Sequence, residues 1–283
     1  MNRRDFVSKT VSASVITSVA SQKKSDDSQT NRKRFEDKVV IITGATSGIG
    51  KAAAFAFAKE GAKVGFCGRR ENLGQQVQED IKNQGGEATY IKADVIKADE
   101  LKIFIDSIVN KYKRLDIAFN NAGTVMFRNL HEIEIEEWDN MFNTNTRGVF
   151  LAMKYQIPHM LKTGGGSIVI TSSMHQVSTR PGGSAYAASK NALMGIARAA
   201  AMDYGEKGIR VNLLAPGITD TPMFRNATGG TPEAIERAKS IIDSLKRIAT
   251  PEEIAEVALF LASDESRYIT GTSILADGGM MAG

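Results

Sequence analysis

The stretch VVIITGATSGIG occupies residues 39–50, and the alanine-rich stretch KAAAFAFAK follows at residues 51–59. Its first four residues are aliphatic, which is typical of a buried strand. Gly44, Gly48 and Gly50 come next, and three glycines allow the backbone to turn tightly and to approach a pyrophosphate. The helix predicted after them would direct its N-terminal amides and the positive end of its dipole at that anion. The stretch therefore predicts the strand, turn and helix of a dinucleotide-binding site.

The rest of the chain repeats this alternation of short apolar runs and longer amphipathic stretches, which is typical of a parallel sheet covered by helices. Strands are predicted at residues 38–43, 62–67, 87–92, 115–119, 166–171, 208–213 and 273–276. Helices are predicted near residues 48–60, 71–83, 97–112, 135–161, 184–204 and 250–262. Because no block of strands alone or helices alone interrupts the pattern, residues 37–283 are predicted to form one α/β domain. Its fold is doubly wound and Rossmann-type, a seven-stranded parallel sheet with helices on both faces.

Residues 217–247 do not follow the alternation. The sequence TGGTP interrupts them at residues 228–232, and glycine and proline favour turns. The segment is predicted to mix loop and helix and to form a mobile lid over the site.

The composition excludes several classes of protein. Of 283 residues, 42% are hydrophobic and 24% are charged, as in soluble globular proteins rather than disordered or fibrous ones. The net charge of +4 belongs to residues 1–38, which hold nine Lys and Arg and five acidic residues. Residues 39–283 hold 27 basic and 27 acidic residues, so the folded part offers no electrostatic argument for binding nucleic acid.

No metal site is expected. Cys67 is the only cysteine, which excludes an intramolecular disulfide and a cysteine-based zinc site. The three histidines, His131, His159 and His175, are scattered along the chain.

Residues 1–20 resemble a twin-arginine export signal, with Arg3 and Arg4 followed after one residue by Phe6 and Val7. Residues 11–20 are uncharged, end in small residues as signal-peptidase sites do, and are too short to cross a bilayer, so no membrane anchor is expected. This interpretation predicts a periplasmic protein, exported folded with its cofactor. A cytoplasmic protein with an N-terminal extension is the alternative. Residues 21–36 are polar and are predicted to form a flexible linker.

Four further motifs follow the glycine-rich turn. They are Asn120-Asn121-Ala122-Gly123 after the fourth predicted strand, Tyr186 and Lys190 at the start of a helix, Pro216-Gly217 with Thr221 after the sixth strand, and Asp277-Gly278-Gly279 after the seventh. In this order, and with TGATSGIG at residues 43–50, the set resembles the short-chain dehydrogenase/reductase family. The resemblance covers the whole chain except residues 1–36.

The resemblance implies a nicotinamide dinucleotide along the carboxyl edge of the sheet, with Asp94 and Val95 at the adenine and Asn121 at the point where the strand order reverses. The residues implied for cofactor binding are Gly44, Thr46, Ser47, Gly48, Ile49, Gly50, Arg69, Arg70, Asp94, Val95, Asn121, Ala122, Gly123, Tyr186, Lys190, Pro216, Gly217, Thr219 and Thr221.

The end of the second predicted strand distinguishes the two dinucleotides. In dinucleotide folds an acidic residue there, about 20 residues past the glycines, binds the ribose 2′-hydroxyl of NAD. Gly68 occupies that place, and Arg69 and Arg70 follow it. Guanidinium groups suit a 2′-phosphate, and no carboxylate repels it. NADP is therefore predicted, with NAD as the alternative.

Tyr186 and Lys190 are four residues apart, so on a helix both side chains lie on one face. A lysine ammonium beside a phenol is expected to lower the pKa of the tyrosine toward the range useful for proton transfer. A chance pair on a structural helix is the alternative for this motif alone. The resemblance makes Tyr186 the general acid/base and makes Lys190 the residue that holds the ribose and biases Tyr186.

The resemblance adds two catalytic residues. Ser173, thirteen residues before Tyr186, would hydrogen-bond the substrate oxygen. Ser172 is its competitor, although nearby backbone could instead satisfy its hydroxyl. Asn145 would hold a water that links Lys190 to solvent.

The implied function is hydride transfer between NADP(H) and a secondary alcohol or ketone, a small-molecule substrate that residues 174–184 and 217–232 would contact. His175 lies in the first of these segments and is left outside the catalytic set. An NAD-dependent dehydrogenase of the same family and a non-catalytic nucleotide-binding regulator are the alternatives. The resemblance also implies a homo-oligomer, a tetramer formed through the helices near residues 135–161 and 184–204, where the alanine-rich run at residues 197–201 would allow close helix approach.

Overall fold

The apolar runs form one parallel sheet, in a computed structural model that describes residues 33–282. The strands are β1 (Val39–Thr43), β2 (Lys63–Gly68), β3 (Glu87–Lys92), β4 (Ile117–Asn120), β5 (Gly166–Thr171), β6 (Ile209–Pro216) and β7 (Ser273–Ala276). Their order across the sheet is β3-β2-β1-β4-β5-β6-β7, and every neighbouring pair is parallel. The order reverses between β1 and β4, which creates the crevice where doubly wound folds bind ligands. The predicted fold class is confirmed.

Helices connect the strands on both faces of the sheet. They are α1 (Gly48–Lys59), α2 (Glu71–Asn83), α3 (Ala98–Tyr112), α4 (Ile135–Phe142), α5 (Gly148–Lys162), α6 (Ser184–Tyr204), α7 (Pro222–Thr228), α8 (Pro232–Ser240) and α9 (Pro251–Ala262). The predicted twin-arginine segment, residues 1–20, lies outside the described residues, and so do residues 21–32 of the predicted linker. The described unit that carries all these elements begins at Phe35.

Alternating residues of the strands divide the core into two clusters. Val39 and Ile41 face one side of the sheet, where they pack with apolar residues of α3, α5 and α6. Val40 and Ile42 face the other side, where α1, α2 and α9 cover them. All four side chains are fully buried, as expected for a central parallel strand with helices on both faces.

The prediction of a single helix over residues 135–161 is wrong in one respect. It is two helices, α4 and α5, joined by a π-helical turn over Asn143–Arg147. A π-helical turn inserts one extra residue into a helix, and here the inserted turn carries the buried Asn145, whose side chain bonds to Thr124 and Ser189. These partners lie on other segments of the chain, so helical periodicity alone does not reveal the break.

The lid segment contains two short helices that begin alike. Thr221 and Thr231 each precede a proline, and their hydroxyls accept a hydrogen bond from the backbone N–H three residues later, at Phe224 and Ala234. This arrangement satisfies an otherwise free amide, and proline suits the first helical position because it needs no donor there. The predicted mixture of loop and helix is observed, and the mobility of the lid stays a prediction.

The alanine-rich run of α6 packs inside its own chain. Ala197, Ala200 and Ala201 are buried in the same cluster as Leu193. These three alanines are therefore not a surface for a partner helix, whereas Ala199 of the same run is exposed. Residue spacing on the helix explains this, because positions three and four apart share the face that covers the sheet.

Two searches of residues 33–282 bear on membranes and metals. Within them, no helix combines the length and apolar character that a bilayer crossing requires. The same residues contain no group of three or more His, Cys, Asp or Glu side chains arranged to hold a metal ion. Burial raises the pKa of the Cys67 thiol to about 12, so this cysteine is a core residue.

Arg210 of β6 holds the end of α9. Its guanidinium donates to the carbonyl oxygens of Leu261 at 2.9 Å and Ser263 at 2.9 Å, and to the hydroxyl of Ser266 at 2.9 Å. The last carbonyls of a helix have no partner within the helix, and a cation there also interacts favourably with the negative end of the helix dipole. Arg210 therefore joins α9 to β6, the strand that leads into the Pro216 loop.

We expect Arg210→Met to lower the free energy of unfolding by about 2–3 kcal/mol, because it leaves several partly buried carbonyls without a charged donor. Urea denaturation measures this. Arg198→Met removes an arginine from the exposed side of α6 and should change the free energy of unfolding by less than about 0.5 kcal/mol. Equal effects of the two substitutions would show that the Arg210 contacts do not stabilise the fold.

Candidate active site

A cavity of about 1100 Å³ opens at the carboxyl edge of the sheet, where the strand order reverses. Most of the residues predicted from the sequence line it. They are Gly44, Thr46, Ser47, Gly48, Ile49, Arg69, Arg70, Asp94, Val95, Asn121, Ala122, Gly123, Ser173, Tyr186, Lys190, Pro216, Gly217, Thr219 and Thr221. Two predicted residues, Gly50 and Asn145, are not in the lining and lie behind it.

The glycine-rich turn has no room for side chains. Gly44 and Gly48 have φ angles of +70° and +56°, in the left-handed region that favours glycine. A Cβ on Gly44 would lie 2.7 Å from the Cα of Ala122, and one on Gly50 would lie 2.5 Å from Asn121 Nδ2. The turn therefore packs backbone against backbone and leaves an open cradle at the start of α1, which suits a pyrophosphate.

Asn121 joins the ends of three strands. It follows β4, and its Nδ2 donates to the carbonyl oxygens of Thr43 and Gly44, both at 3.3 Å, at the end of β1. Its Oδ1 accepts a hydrogen bond of 3.2 Å from the hydroxyl of Thr171 at the end of β5. The hydroxyl of Thr43 in turn accepts from the backbone N–H groups of Asn121 and Ala122. One amide side chain thus fixes the glycine-rich turn relative to the strands beside it.

Lys190 continues this network toward the middle of the cavity. Its Nζ donates to the carbonyl oxygen of Thr171 at 2.8 Å, and the residue is only 3% exposed. Burial without a carboxylate partner lowers the pKa of Lys190 to about 8, because a desolvated ammonium is disfavoured. The lysine is therefore held at a fixed point and is close to its own titration at physiological pH.

Tyr186 and Ser173 face each other across the cavity. Tyr186 lies in the first turn of α6 and lines the cavity together with Ser173, whose side chain is close enough to influence the pKa of the Tyr186 phenol. Ser173 follows β5, is 6% exposed, and also accepts a hydrogen bond from the backbone N–H of His175 at 3.2 Å. A carbonyl oxygen placed between the two hydroxyls could receive a hydrogen bond from each.

The pKa of Tyr186 moves in the opposite direction to the expectation from the sequence. Burial raises it, and the hydrogen bond from Ser173 opposes that rise. The ammonium of Lys190 lies 6.0 Å from the centre of the Tyr186 ring and is directed at Thr171, so desolvation outweighs it. Tyr186 is therefore a protonated phenol at neutral pH, the form that a proton donor requires.

Ser172 and Ser173 are distinguished by their partners. The hydroxyl of Ser172 donates to the side chain of Gln176 at 2.9 Å and lies 3.3 Å from the carbonyl oxygen of Lys190. Local groups thus satisfy Ser172, whereas the hydroxyl of Ser173 accepts from the backbone N–H of His175 and lines the cavity beside Tyr186. The geometry favours Ser173 over Ser172 as the residue that contacts a substrate.

Asn145 supports the site from behind. It is fully buried, its Oδ1 accepts from Thr124 N at 2.8 Å, and its Nδ2 donates to Thr124 O and to the Ser189 hydroxyl, each at 3.0 Å. A Cβ on Gly123 would lie 3.2 Å from Asn145 Oδ1 and 3.4 Å from Lys190 Nζ. Asn145 and Lys190 thus flank the same glycine, and the space between them must stay free of a side chain.

The two arginines after β2 have different partners. Arg70 directs its guanidinium at the glycine-rich turn, where Nη2 donates to the hydroxyls of Thr46 at 2.9 Å and Ser47 at 2.6 Å. Arg69 lies 3.9 Å from the carboxylate of Asp94, and its side chain is 75% exposed. A Cβ on Gly68 would lie 2.7 Å from Thr46 Cγ2, so Thr46 fills the space that an acidic side chain at position 68 would need.

Three side chains of the cavity wall are outside the predicted catalytic and cofactor-binding residues, although two of them, His175 and Arg180, lie in the segment 174–184 that is predicted to contact the substrate. His175 packs its ring 5.5 Å from that of Tyr186 and 5.7 Å from that of Phe127, and Arg180 stacks on the ring of Phe127. The sequence contains one indication of His175, which is that it follows Ser173 by two residues. Phe127 and Arg180 come from separate loops without a motif, and only the fold brings them together.

Comparisons with known proteins agree with this geometry. A family model described as Enoyl-(Acyl carrier protein) reductase matches residues 44–281. The 3-oxoacyl-(acyl-carrier-protein) reductase FabG of Thermotoga maritima is 43% identical over 251 residues, covering 88% of this chain and 99% of that protein. Cyclohexanol dehydrogenase of an Acinetobacter species is 35% identical over 246 residues, covering 87% of this chain and 95% of that protein.

A solved structure is also similar. It is that of an NAD(P)-dependent gluconate 5-dehydrogenase, so described by those who solved it, from Beutenbergia cavernae with bound NADP. It superposes with a TM-score of 0.83 at 30% identity and covers 89% of this chain and all of the other. With the glycine-rich turn, the Tyr186 and Lys190 pair and the family match over residues 44–281, these similarities show that the chain belongs to the short-chain dehydrogenase/reductase family of NAD(P)-dependent oxidoreductases.

Proposed function

We propose that the protein is an NADP(H)-dependent oxidoreductase that interconverts a secondary alcohol and a ketone. The observation that carries this proposal is that Tyr186, Ser173 and the buried Lys190 line one cavity together with the glycine-rich turn. A nucleotide-binding regulator needs the turn, but it has no use for two hydroxyls converging beside a buried lysine.

The residues present fit a nicotinamide dinucleotide, because the glycine-rich turn lines the cavity and its backbone packs too closely on Ala122 and Asn121 for a Cβ at Gly44 or Gly50. When bound, the cofactor supplies or accepts the hydride. Tyr186 Oη holds the proton that the substrate oxygen gains in reduction or loses in oxidation, and Ser173 Oγ orients and polarises that oxygen. Lys190 stays within reach of Tyr186 because Thr171 holds its Nζ. Asn145 and the backbone of Thr124 close the site behind Lys190.

The names of the relatives support the substrate class. A 3-oxoacyl reductase, a cyclohexanol dehydrogenase and a gluconate 5-dehydrogenase differ in the body of the substrate and share a CH–OH or C=O carbon. Apolar side chains of the lid, among them Met223 and Phe224, line the same cavity as Ser173. Substrate recognition is therefore assigned to the part of the cavity wall that the lid and residues 174–184 form.

We expect Tyr186→Phe to lower turnover of a reducible ketone by about 10²–10⁴-fold, since the proton donor is lost. Binding of NADPH, followed by fluorescence, should change by less than about threefold, because the ring remains. Tyr204→Phe, at the far end of the same helix, is the matched control and should keep full turnover. If Tyr186→Phe retained turnover, Tyr186 could not be the acid/base residue.

The preference for NADP is proposed from Arg70. Its guanidinium already lies against the hydroxyls of Thr46 and Ser47, and Gly68 stands at the place where an NAD-binding fold carries an acidic residue. A 2′-phosphate would gain a charge-assisted hydrogen bond from Arg70. An NAD-dependent dehydrogenase is the alternative that the next experiment distinguishes.

Arg70→Ala should reduce the affinity for NADPH relative to NADH by about 10- to 100-fold, the magnitude of one lost charge-assisted hydrogen bond. Arg69→Ala is the matched variant, and its effect should be smaller because Arg69 is mostly exposed and lies near Asp94. Titration of both nucleotides against each variant measures the ratios. Tighter binding of NADH than NADPH by the unchanged protein would contradict the assignment of NADP.

A homotetramer is proposed, as the family resemblance implies. Large apolar side chains remain exposed on the two helices concerned, with Phe150 of α5 at 51% and Met202 of α6 at 85%. These side chains, rather than the buried Ala197, Ala200 and Ala201, are the ones available to a partner chain.

Export to the periplasm by the twin-arginine route is proposed from Arg3 and Arg4. Changing both residues to lysine keeps the charge and removes the arginine pair, so the protein should then stay in the cytoplasmic fraction of a cell that has this export route. Arg32→Lys with Arg34→Lys is the control pair. A protein found in the cytoplasm with or without the change would contradict export.

A further inference from the structure

The cavity has a positive wall away from the glycine-rich turn. The charged side chains in its lining are Arg69, Arg70, Asp94, Arg180, Lys190 and Arg237. Among the described residues that line it, Asp94 is the only carboxylate, and it lies 3.9 Å from Arg69. The half of the cavity that contains Tyr186 therefore carries cations and no acid.

Two cations of this lining, Arg180 and Arg237, are used neither by the cofactor site nor by the acid/base residues, and Arg180 is the one that packs near Tyr186. Its Cζ lies 3.7 Å from the centre of the Phe127 ring, a close cation–π contact. Partial burial lowers the pKa of Arg180, and no charged neighbour among the described residues opposes that effect. The flat guanidinium is thus stacked on one face while its N–H groups have no ion-pair partner within residues 33–282.

The loop that carries Arg180 is fixed against the Phe127 segment. Arg128 N donates to Gly182 O at 2.9 Å, and Gly183 N donates to Arg180 O at 3.0 Å. Gly182 has a φ of +77°, and a Cβ there would lie 3.1 Å from Arg128 N. Arg180 is therefore held in place before any ligand arrives, which reduces the entropy lost on binding.

The stack lies next to the reacting groups. The Phe127 ring centre is 6.1 Å from that of Tyr186, and His175 fills the space beside both rings. His175 is 8% exposed, and its Nδ1 has no hydrogen-bond partner among the described residues. A neutral imidazole is favoured there, since burial and the charge of Arg180 both lower the pKa of His175. Arg180 is thus one aromatic ring away from the hydroxyl that would transfer the proton.

We propose that the substrate is a keto acid or hydroxy acid whose carboxylate binds to Arg180 while its carbonyl or carbinol carbon lies at Tyr186 and Ser173. This inference rests on the proposed function and adds the substrate class to it. One guanidinium neutralises one carboxylate, and its fork of donors matches the two oxygens. The body of the substrate lies along Phe127, Met174 and the lid residues Met223 and Phe224, and Arg237 of α8 adds positive charge from the lid side.

The test compares two ketones that differ in one charge, 4-oxocyclohexanecarboxylate and its methyl ester, with the full chain and NADPH. Arg180→Met keeps an unbranched stem for Phe127 and removes the charge. The ratio of kcat/KM for the acid to kcat/KM for the ester should fall by about 10- to 100-fold, mainly through a higher KM for the acid. Arg267→Met removes an exposed arginine that does not line the cavity, so its ratio should match that of the unchanged protein. A ratio unaffected by Arg180→Met would overturn the inference.

A binding measurement separates this inference from the proposed function. Calorimetric titration of the NADP-loaded protein with cyclohexanecarboxylate, which has no ketone, should show binding that weakens at least tenfold in Arg180→Met. Binding that does not depend on Arg180 overturns the inference, even if the ester is reduced and the proposed function stands. Binding that depends on Arg180 supports the inference, even if neither ketone is reduced and the proposed function fails.

Discussion

The hydrogen bonds of Asn121 are the constraint on which the site depends. Its amide ties the end of β1, at Thr43 and Gly44, to Thr171 at the end of β5, and Thr171 in turn holds the ammonium of Lys190. The cofactor turn and the lysine of the acid/base group are thus two ends of one hydrogen-bonded chain. In a parallel sheet these groups meet only where the strand order reverses, so the topology places the chemistry.

The buried polar side chains behind the site are held by hydrogen bonds within the chain. The amide of Asn145 bonds to Thr124 and Ser189, and the hydroxyl of Ser172 donates to Gln176. Ser173 and Tyr186 are left facing the cavity with hydroxyls that a substrate oxygen can join. Burial has opposite effects on the two titratable groups, lowering the pKa of Lys190 and raising that of Tyr186. Both shifts favour the uncharged form, which keeps the proton on the tyrosine.

The sequence predicts the sheet well because buried parallel strands are nearly continuous apolar runs, as in VVIIT at residues 39–43. Because glycine turns and helical i,i+4 pairs are local, the sequence also locates the motif residues, most of which the structure places along one cavity; their roles in the reaction stay predictions. It misses the π-helical turn at Asn143–Arg147 and the direction of the Tyr186 pKa, since both depend on burial and on distant partners. It also misses the stack of Arg180 on Phe127, which two loops form only in the folded chain.

A dinucleotide on the glycine-rich turn is proposed to bring its reactive end to Tyr186, Ser173 and Lys190. A crystal structure of the full chain with NADPH would show whether it does. We expect the pyrophosphate at residues 44–50, the 2′-phosphate in contact with Arg70, and the nicotinamide beside the hydroxyls of Tyr186 and Ser173. A nucleotide bound with its nicotinamide away from Tyr186, or bound outside the cavity, would show that these residues do not form the active site.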